Sequence, residues 1–263
     1  MSTEQDIDSV CKKIREKYSP CDVACSQTLI PSHIAESSQV SDALLKLEVA
    51  GAGFLKDISP IPSRAQGGNR IVAPISTVLF VSKSQQSVFP LSTQVPWESN
   101  IPTGKHWTDC PTPGSVVILQ QPPQQSVALL GDIVATRLKY RGILGAVIDG
   151  RARDVVACGE LCSDGGFQVW SKALSSVGTS MEAKPWAVDV PLTIGGLQVN
   201  PGDVLCADEG EGVICVIPKS KLHEVAALLP TLKEADDGVL KDVQNGADFT
   251  TALKNHPKHY TNH

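Results

Sequence analysis

The most regular hydrophobic pattern of the chain lies in residues 131–154, which read GDIVATRLKYRGILGAVIDGRARD. Apolar residues recur there at helical spacing for about three turns, and after Gly142 they form the continuous run 143–148. Glycine at the entry and at the break interrupts regular structure. The pattern therefore predicts a loop, a helix, a buried strand and a second loop that carries Arg153 and Asp154.

Elsewhere, the periodicity predicts helices on both sides of a β-rich region. Helices are predicted over residues 4–18, over residues 42–47 with Ser41 as the N-cap, and within the amphipathic stretch 219–243. The polar, proline-rich stretch 85–113 is interpreted as a peripheral loop, with a lid as the alternative. Apolar and β-branched runs predict strands over 70–82 (two short strands split at Pro74, or one bulged strand), 115–120, 167–170, 188–192, 204–207 and 213–217.

The two loops of the 131–154 unit carry groups that bind anions and metals. The first amides of a helix lack intrahelical partners and carry partial positive charge, so they form a cradle for a small anion. Arg153 offers a planar fork for an oxyanion, and Asp154 offers a hard oxygen ligand for Mg2+ or Mn2+. On spacing alone, a surface turn with a solvated ion pair is the simpler interpretation of these two residues. The cradle amides belong to Gly131, Asp132, Ile133 and Val134.

Composition narrows the class of protein. The chain has 263 residues and a net charge of −5, so it lacks the basic surface that neutralises nucleic-acid phosphates. No apolar run reaches the length of a membrane span, and the N-terminal residues have no apolar signal core. We therefore expect a cytoplasmic protein that binds neither nucleic acid nor membrane, folded as one large domain or two small ones.

The eight cysteines are predicted to be reduced, structural thiols. Disulfides are rare in cytosolic proteins. The spacings Cys21-x3-Cys25 and Cys158-x3-Cys162 loosely fit a metal site, but neither pair has an adjacent histidine. A zinc site is thus the less favoured alternative.

A family resemblance rests on this same unit. Asp132, twenty intervening residues and then Arg153-Asp154 resemble the D-x20-R-D signature of the RraA-like family, and the segments ATRLKYRG and GAVIDGRARD also resemble that family. The resemblance covers residues 41–246 and implies an α/β fold, a single RraA-like domain built as a β/β/α layered sandwich with flanking helices. Residues 1–40 would add an N-terminal helix and an atypical loop, either a genuine insertion or a retained intron. Residues 247–263, with three histidines at irregular spacing, would form a frayed tail.

The resemblance implies a class II 4-hydroxy-4-methyl-2-oxoglutarate aldolase that also decarboxylates oxaloacetate through a metal-stabilised pyruvate enolate. Asp154 is expected to bind Mg2+ or Mn2+ directly, while Asp132 and Glu234 of a neighbouring subunit hold metal-bound water. Asp236 and Asp237 compete with Glu234 for that role. The protein would then be a homo-oligomer, a trimer or a hexamer, acting on a small 2-oxo acid. Arg153 and Asp132 are the expected catalytic residues, and substrate is expected to contact Gly131, Asp132, Ile133, Val134 and Arg153.

Some positions depart from the family pattern. Pro122 and Pro123 follow the predicted strand 115–120 and remove two amide donors. Ala157 stands where an acidic residue is common, and Glu160 is the nearest acid. These departures leave two alternatives open, a relative that acts on another oxo acid and a non-catalytic RraA-like regulator that binds a protein partner.

Overall fold

The computed structural model describes residues 37–63, 69–84 and 96–259. They form a mixed α/β fold, as predicted. The helices are α1 (Ser37–Lys46), α2 (Asp132–Tyr140), α3 (Val155–Leu161), α4 (Leu222–Gln244) and α5 (Phe249–Asn255). The strands are β1 (Ser59–Pro60), β2 (Arg70–Ser82), β3 (Val116–Gln120), β4 (Ala128–Leu130), β5 (Gly145–Ala152), β6 (Gln168–Leu174), β7 (Ala183–Val188), β8 (Leu192–Ile194), β9 (Leu197–Val199), β10 (Val204–Asp208) and β11 (Val213–Ile217).

The main sheet has the order β1-β6-β5-β3-β2-β10-β11, with β4 beside β5 and β7 beside β2. Its centre is parallel, since β2, β3, β5 and β6 pair in parallel with one another. Parallel strands are usually buried on both faces, which explains their continuous apolar sequences. One face packs on α2 and α3, the opposite face packs on the β8–β9 hairpin, and α1 and α4 cover β10 and β11.

Pro74 does not split β2, so the predicted interruption is wrong. Pro74 pairs opposite Val204 of β10, and the ladder with β3 on the other edge begins only at Ile75. A proline is tolerated where no neighbouring strand needs its amide hydrogen. The residue instead marks the point at which β2 gains a parallel partner.

Three other predictions need correction. Helix α1 begins at Ser37, so Ser41 lies inside the helix and is not its N-cap. The predicted strand 188–192 straddles a break, because β7 ends at Val188 and Asp189 has a left-handed φ of 50°. Trp107 is not peripheral, since it is 4% exposed and packs edge-on against the core residue Phe80. The predicted helix 4–18 and residues 24–36 of the predicted loop lie outside the described residues.

The described part of the C-terminal tail, residues 247–259, contains α5, a helix that was not predicted. Asp248 caps α5 by accepting a hydrogen bond from the Thr251 amide at 3.0 Å. The Nε2 atoms of His256 and His259 lie 3.2 and 3.4 Å from carboxylate oxygens of Asp242 and Asp236 on α4. The histidines thus fasten the tail to α4.

The described cysteines are free thiols, as predicted, and four of the five are buried. Within residues 37–63, 69–84 and 96–259, no group of three histidine, cysteine or acidic side chains is placed to hold a metal. None of the helices in these ranges is both long and apolar enough to cross a membrane.

Asp42 on α1 interacts electrostatically with Asp236 on α4, so we expect the stability of the fold to depend on pH. Burial, and then the charge of Asp236, raise the pKa of Asp42 to about 6 from the ordinary value of 3.8. Because the pKa is higher in the folded chain, the contribution of Asp42 to stability is complete below about pH 4 and is lost as the pH rises through 6. We expect Asp42→Asn to raise the melting temperature at pH 7 and to change it little at pH 4, as measured by circular dichroism. Glu98→Gln, on an exposed loop, is the control; parallel pH curves for wild type and Asp42→Asn would contradict the prediction.

Candidate active site

The predicted site residues of the 131–154 unit meet at the carboxyl end of β5. Helix α2 begins at Asp132 with Gly131 as its N-cap, and β5 ends one residue before Arg153. The Arg153 amide donates a hydrogen bond to the Leu130 carbonyl at 3.0 Å, so the loop after β5 is joined to the end of β4. The structure therefore brings Gly131, Asp132, Arg153 and Asp154 together.

Two carboxylates occupy the N-terminus of α2. The Asp132 amide donates to Asp154 Oδ2 at 3.4 Å, and the Ile133 amide donates to Asp132 Oδ1 at 2.7 Å. Arg153 Nε lies 3.3 Å from Asp154 Oδ2, and both side chains are about 40% exposed. The positive end of the helix and the guanidinium stabilise these acids. Part of the predicted anion cradle is thus filled by the chain's own carboxylates.

Asp154 has an unusual backbone conformation. Its φ of 56° and ψ of 42° lie in the left-handed region, and its side chain makes no capping bond to α3. The backbone on either side is held, since the Asp154 carbonyl accepts from the Cys158 amide at 2.9 Å and the Cys158 thiol lies 3.6 Å from the Arg153 carbonyl. Burial raises the pKa of Cys158 to about 12, so this thiol stays protonated and serves as a donor. A strained acid held in this way is typical of a functional position.

Two glycines permit the close approach of Arg153 and Asp154. A Cβ atom at Gly131 would overlap Asp154 Oδ2 and would lie 3.0 Å from Arg153 Nε. A Cβ atom at Gly178 would lie 3.1 Å from Arg153 Nη1. Sequence reasoning identified Gly131 but missed Gly178, which comes from the segment after β6 and has no local signal that links it to Arg153.

Other predicted residues lie elsewhere. Glu234 is exposed on α4, whose buried face packs with α1 on β10 and β11. Glu160 is exposed near the end of α3. In the part of the chain that the structure describes, the site's own acidic ligands are therefore Asp132 and Asp154. This donor set fits Mg2+, which is commonly bound through one or two carboxylates with water filling the remaining positions.

Sequence reasoning also missed a polar cavity of about 400 Å3. It contains Lys172, whose ammonium group forms an ion pair with Asp149. Pro122 and Pro123 line this cavity, so their departure from the family pattern affects the cavity wall. The ion pair engages the lysine amine and disfavours its use as a Schiff-base nucleophile.

Comparisons with known proteins agree with the fold. A model of the RraA-like family, described as Aldolase/RraA, matches residues 37–215. A protein of Halalkalibacterium halodurans named "Putative 4-hydroxy-4-methyl-2-oxoglutarate aldolase" is 30% identical over 163 residues, which are 62% of this chain and 73% of that protein. Protein DlpA of Legionella pneumophila is 23% identical over 84% of this chain, but the match spans only 32% of its own length.

Two solved structures resemble the chain. An uncharacterised protein from Pseudomonas syringae aligns with a TM-score of 0.63 and 23% identity, over 82% of this chain and 92% of that one. Streptomyces coelicolor RraAS2, described as an unusual member of the RNase ES inhibitor RraA protein family, aligns with a TM-score of 0.58 and 27% identity, over 75% and 90% of the two chains.

The left-handed backbone at Asp154 generates a prediction about stability. Asp154→Gly and Asp154→Ala remove the same side-chain contacts, but only glycine adopts positive φ without steric cost. We expect the glycine variant to be more stable than the alanine variant by about 1 kcal/mol, as measured by urea unfolding. Equal stabilities would show that residue 154 is not held in this conformation in solution.

Proposed function

Because the chain belongs to the RraA-like family, we propose that it is a divalent-metal-dependent lyase that cleaves 4-hydroxy-4-methyl-2-oxoglutarate, or a related 4-hydroxy-2-oxo acid, to pyruvate and also decarboxylates oxaloacetate. The observation that carries the proposal is the meeting of Arg153, Asp154 and Asp132 at the N-terminus of α2. The aldolase name of the Halalkalibacterium halodurans relative supports the same assignment.

Asp154 is the proposed direct ligand of Mg2+ or Mn2+, and Asp132 is proposed to hold metal-bound water. Both are oxygen donors, and the side chain of Asp154 is 39% exposed, so a cation can reach it from solvent. When bound, the cation supplies a Lewis acid for the oxygens of a 2-oxo acid. It would also draw Asp154 away from the Asp132 amide and so free a donor of the anion cradle.

The chain's own groups account for the recognition of the substrate. Its 1-carboxylate is proposed to lie against the amides around Ile133 and Val134, at the positive end of α2, where it would replace Asp132 Oδ1 as the acceptor of the Ile133 amide. Arg153 then faces the 2-keto oxygen. Gly131 and Gly178 leave the space that this guanidinium needs on two sides.

The bond changes explain why Arg153 is central. In the aldol cleavage, the C4 hydroxyl gives its proton to a water molecule held by Asp132 and becomes the carbonyl group of the second product. The C3–C4 bond breaks, its electron pair passes to C3 in conjugation with the keto group, and the same water can return the proton to C3. In the decarboxylation, the electron pair of the bond to the departing CO2 follows the same course. Negative charge therefore develops on the keto oxygen, where Arg153 stabilises it, and C3 takes up a proton to give pyruvate.

A second copy of the chain is proposed to complete the site. Four large apolar side chains are exposed on the elements around Arg153, and a neighbouring subunit would remove them from water. They are Ile133 (79%), Val156 (68%), Leu174 (53%) and Met181 (56%). A neighbouring subunit packed there, in a homotrimer or hexamer, would bring its exposed Glu234 to the metal-bound water.

A non-catalytic role in binding a protein partner is the alternative. The likeness to Streptomyces coelicolor RraAS2, at 27% identity, favours it to some extent. The close approach of Arg153 and Asp154 at Gly131 favours the lyase, since a surface used only for protein contact does not require it. A well-folded oligomer that releases no pyruvate from either substrate would favour the alternative.

One test of the proposed function concerns Arg153 and the metal. We expect Arg153→Ala to lower pyruvate release from both substrates by about hundredfold or more, because one donor to the developing charge is removed. We also expect excess EDTA to abolish pyruvate release by wild type and added Mg2+ to restore it. The assay couples pyruvate to lactate dehydrogenase. Arg137→Ala, which removes an exposed guanidinium bound to Asp109, is the matched control; unchanged turnover in Arg153→Ala would refute the assignment.

Another test concerns the proposal that Glu234 of a neighbouring subunit completes the site. We expect Glu234→Gln to lower turnover while Asp237→Asn, on the same helix and paired with Lys233, leaves it unchanged. When inactive Arg153→Ala and Glu234→Gln proteins are dissociated, mixed and reassembled, some interfaces combine two intact halves, so activity should return. No recovery in mixed oligomers of the correct size would argue against a donated glutamate.

A further inference from the structure

The polar cavity lies on the face of the sheet opposite to α2. Gln120, Asp149 and Lys172 each follow, by two residues, a core residue of the face that packs on the β8–β9 hairpin. Gln120 and Asp149 pair directly across β3 and β5. Neighbouring parallel strands therefore end in a row of polar side chains on one face. The carboxyl ends of parallel strands are a common place for ligands in α/β proteins.

The charge of the cavity is unbalanced. The Lys172 ammonium is paired with Asp149, whose side chain is only 11% exposed, and this pair is neutral. Arg151 donates one hydrogen bond to the Leu174 carbonyl at 2.8 Å. Among residues 37–63, 69–84 and 96–259, no carboxylate forms an ion pair with Arg151. The cavity thus presents one uncompensated positive charge, although the whole chain is acidic.

The wall of the cavity is held in place by side-chain bonds. Gln121 Oε1 accepts a hydrogen bond from the Arg151 amide at 2.8 Å, and Gln121 Nε2 donates to the Val127 carbonyl at 2.7 Å. A Cβ atom at Gly150 would overlap the Gln121 side chain. Gln120 Nε2 donates to the Thr193 carbonyl across the cavity. These bonds fix the backbone beside Arg151 without using its guanidinium.

We propose that this cavity is a second binding site, distinct from the Arg153 site, for a small hydroxy acid that carries a single carboxylate. The Arg151 guanidinium keeps donors beyond its bond to the Leu174 carbonyl, and its single positive charge balances one carboxylate rather than a dianionic phosphate. Gln124 and Gln125 line the remainder of the cavity. Gln125 Nε2 donates to the Glu182 carbonyl at 3.1 Å, whereas its Oε1 is buried without a hydrogen-bond partner among the described residues and can accept from a hydroxyl group. A cavity of about 400 Å3 accommodates a compact acid of this kind.

Isothermal titration calorimetry with gluconate tests the proposal. Gluconate is a six-carbon hydroxy acid with one carboxylate, and sorbitol is a neutral probe of the same size. EDTA is present throughout, so that neither metal binding nor turnover contributes to the signal. We expect wild type to bind gluconate but not sorbitol. We expect Arg151→Gln to bind gluconate at least about tenfold more weakly, the loss typical of one charged hydrogen-bond partner.

Three further variants separate this site from the others. Arg153→Ala should bind gluconate as wild type does, because that residue belongs to the other site. Arg137→Gln is the control for a general change of charge, and Arg151→Lys should keep most of the affinity by keeping the charge. Circular dichroism verifies that each variant is folded.

Two results would overturn the proposal. One is wild-type binding that is absent, or that persists unchanged in Arg151→Gln. The other is binding that is lost in Arg153→Ala and kept in Arg151→Gln, since the acid would then occupy the Arg153 site. Neither result depends on whether the protein is a lyase.

Discussion

The hydrogen bond from the Arg153 amide to the Leu130 carbonyl is the contact on which the candidate site depends. It joins the end of β5 to the end of β4, and β4 leads directly into Gly131 and α2. β4 and β5 also pair in parallel, Ala128 with Arg151 and Leu130 with Ala152, so this bond closes the end of an existing ladder. Through that ladder a guanidinium, two carboxylates and the positive end of a helix share one place, and that combination suits the binding of a 2-oxo acid.

The same strand end serves two surfaces. The pairing of β5 with β6 shifts between Ile148 and Arg151, and Gln121 binds the backbone at this irregularity. Arg151 then faces the polar cavity, whereas Arg153 faces Gly131 and Gly178. Each of the two proposed sites therefore has its own arginine, although only Ala152 separates Arg151 from Arg153. Pro122 and Pro123 lie in the loop between β3 and β4 and line the polar cavity. A substitution in this loop would therefore alter the polar cavity before it altered the Arg153 site.

Much of the first site was predictable from sequence, because its elements are local. Helix α2 and strand β5 follow from periodicity, and Asp132, Arg153 and Asp154 follow from a short signature. Features that depend on pairing between distant segments were not predictable. The ion pair between Lys172 and Asp149 depends on the register of β5 and β6. The contact between Gly178 and Arg153 depends on the path of the segment after β6. Helix α5 was missed because contacts with α4, such as that between His256 and Asp242, stabilise it, whereas its own sequence has little periodicity.

The groups around Asp132 and Asp154 suggest how the first site avoids self-repulsion. Asp132 and Asp154 lie close together, and two adjacent carboxylates repel each other unless positive charge compensates them. The N-terminus of α2 and the Arg153 guanidinium supply that charge, and both are also the groups proposed to hold the substrate. The carboxylates of the chain and those of the substrate therefore compete for the same donors. Under the proposed function, a divalent cation held by Asp154 would compensate this acid and would leave the Asp132 amide and the Arg153 guanidinium to the substrate. Metal and substrate would then be expected to bind cooperatively, because each would remove an obstacle to the other.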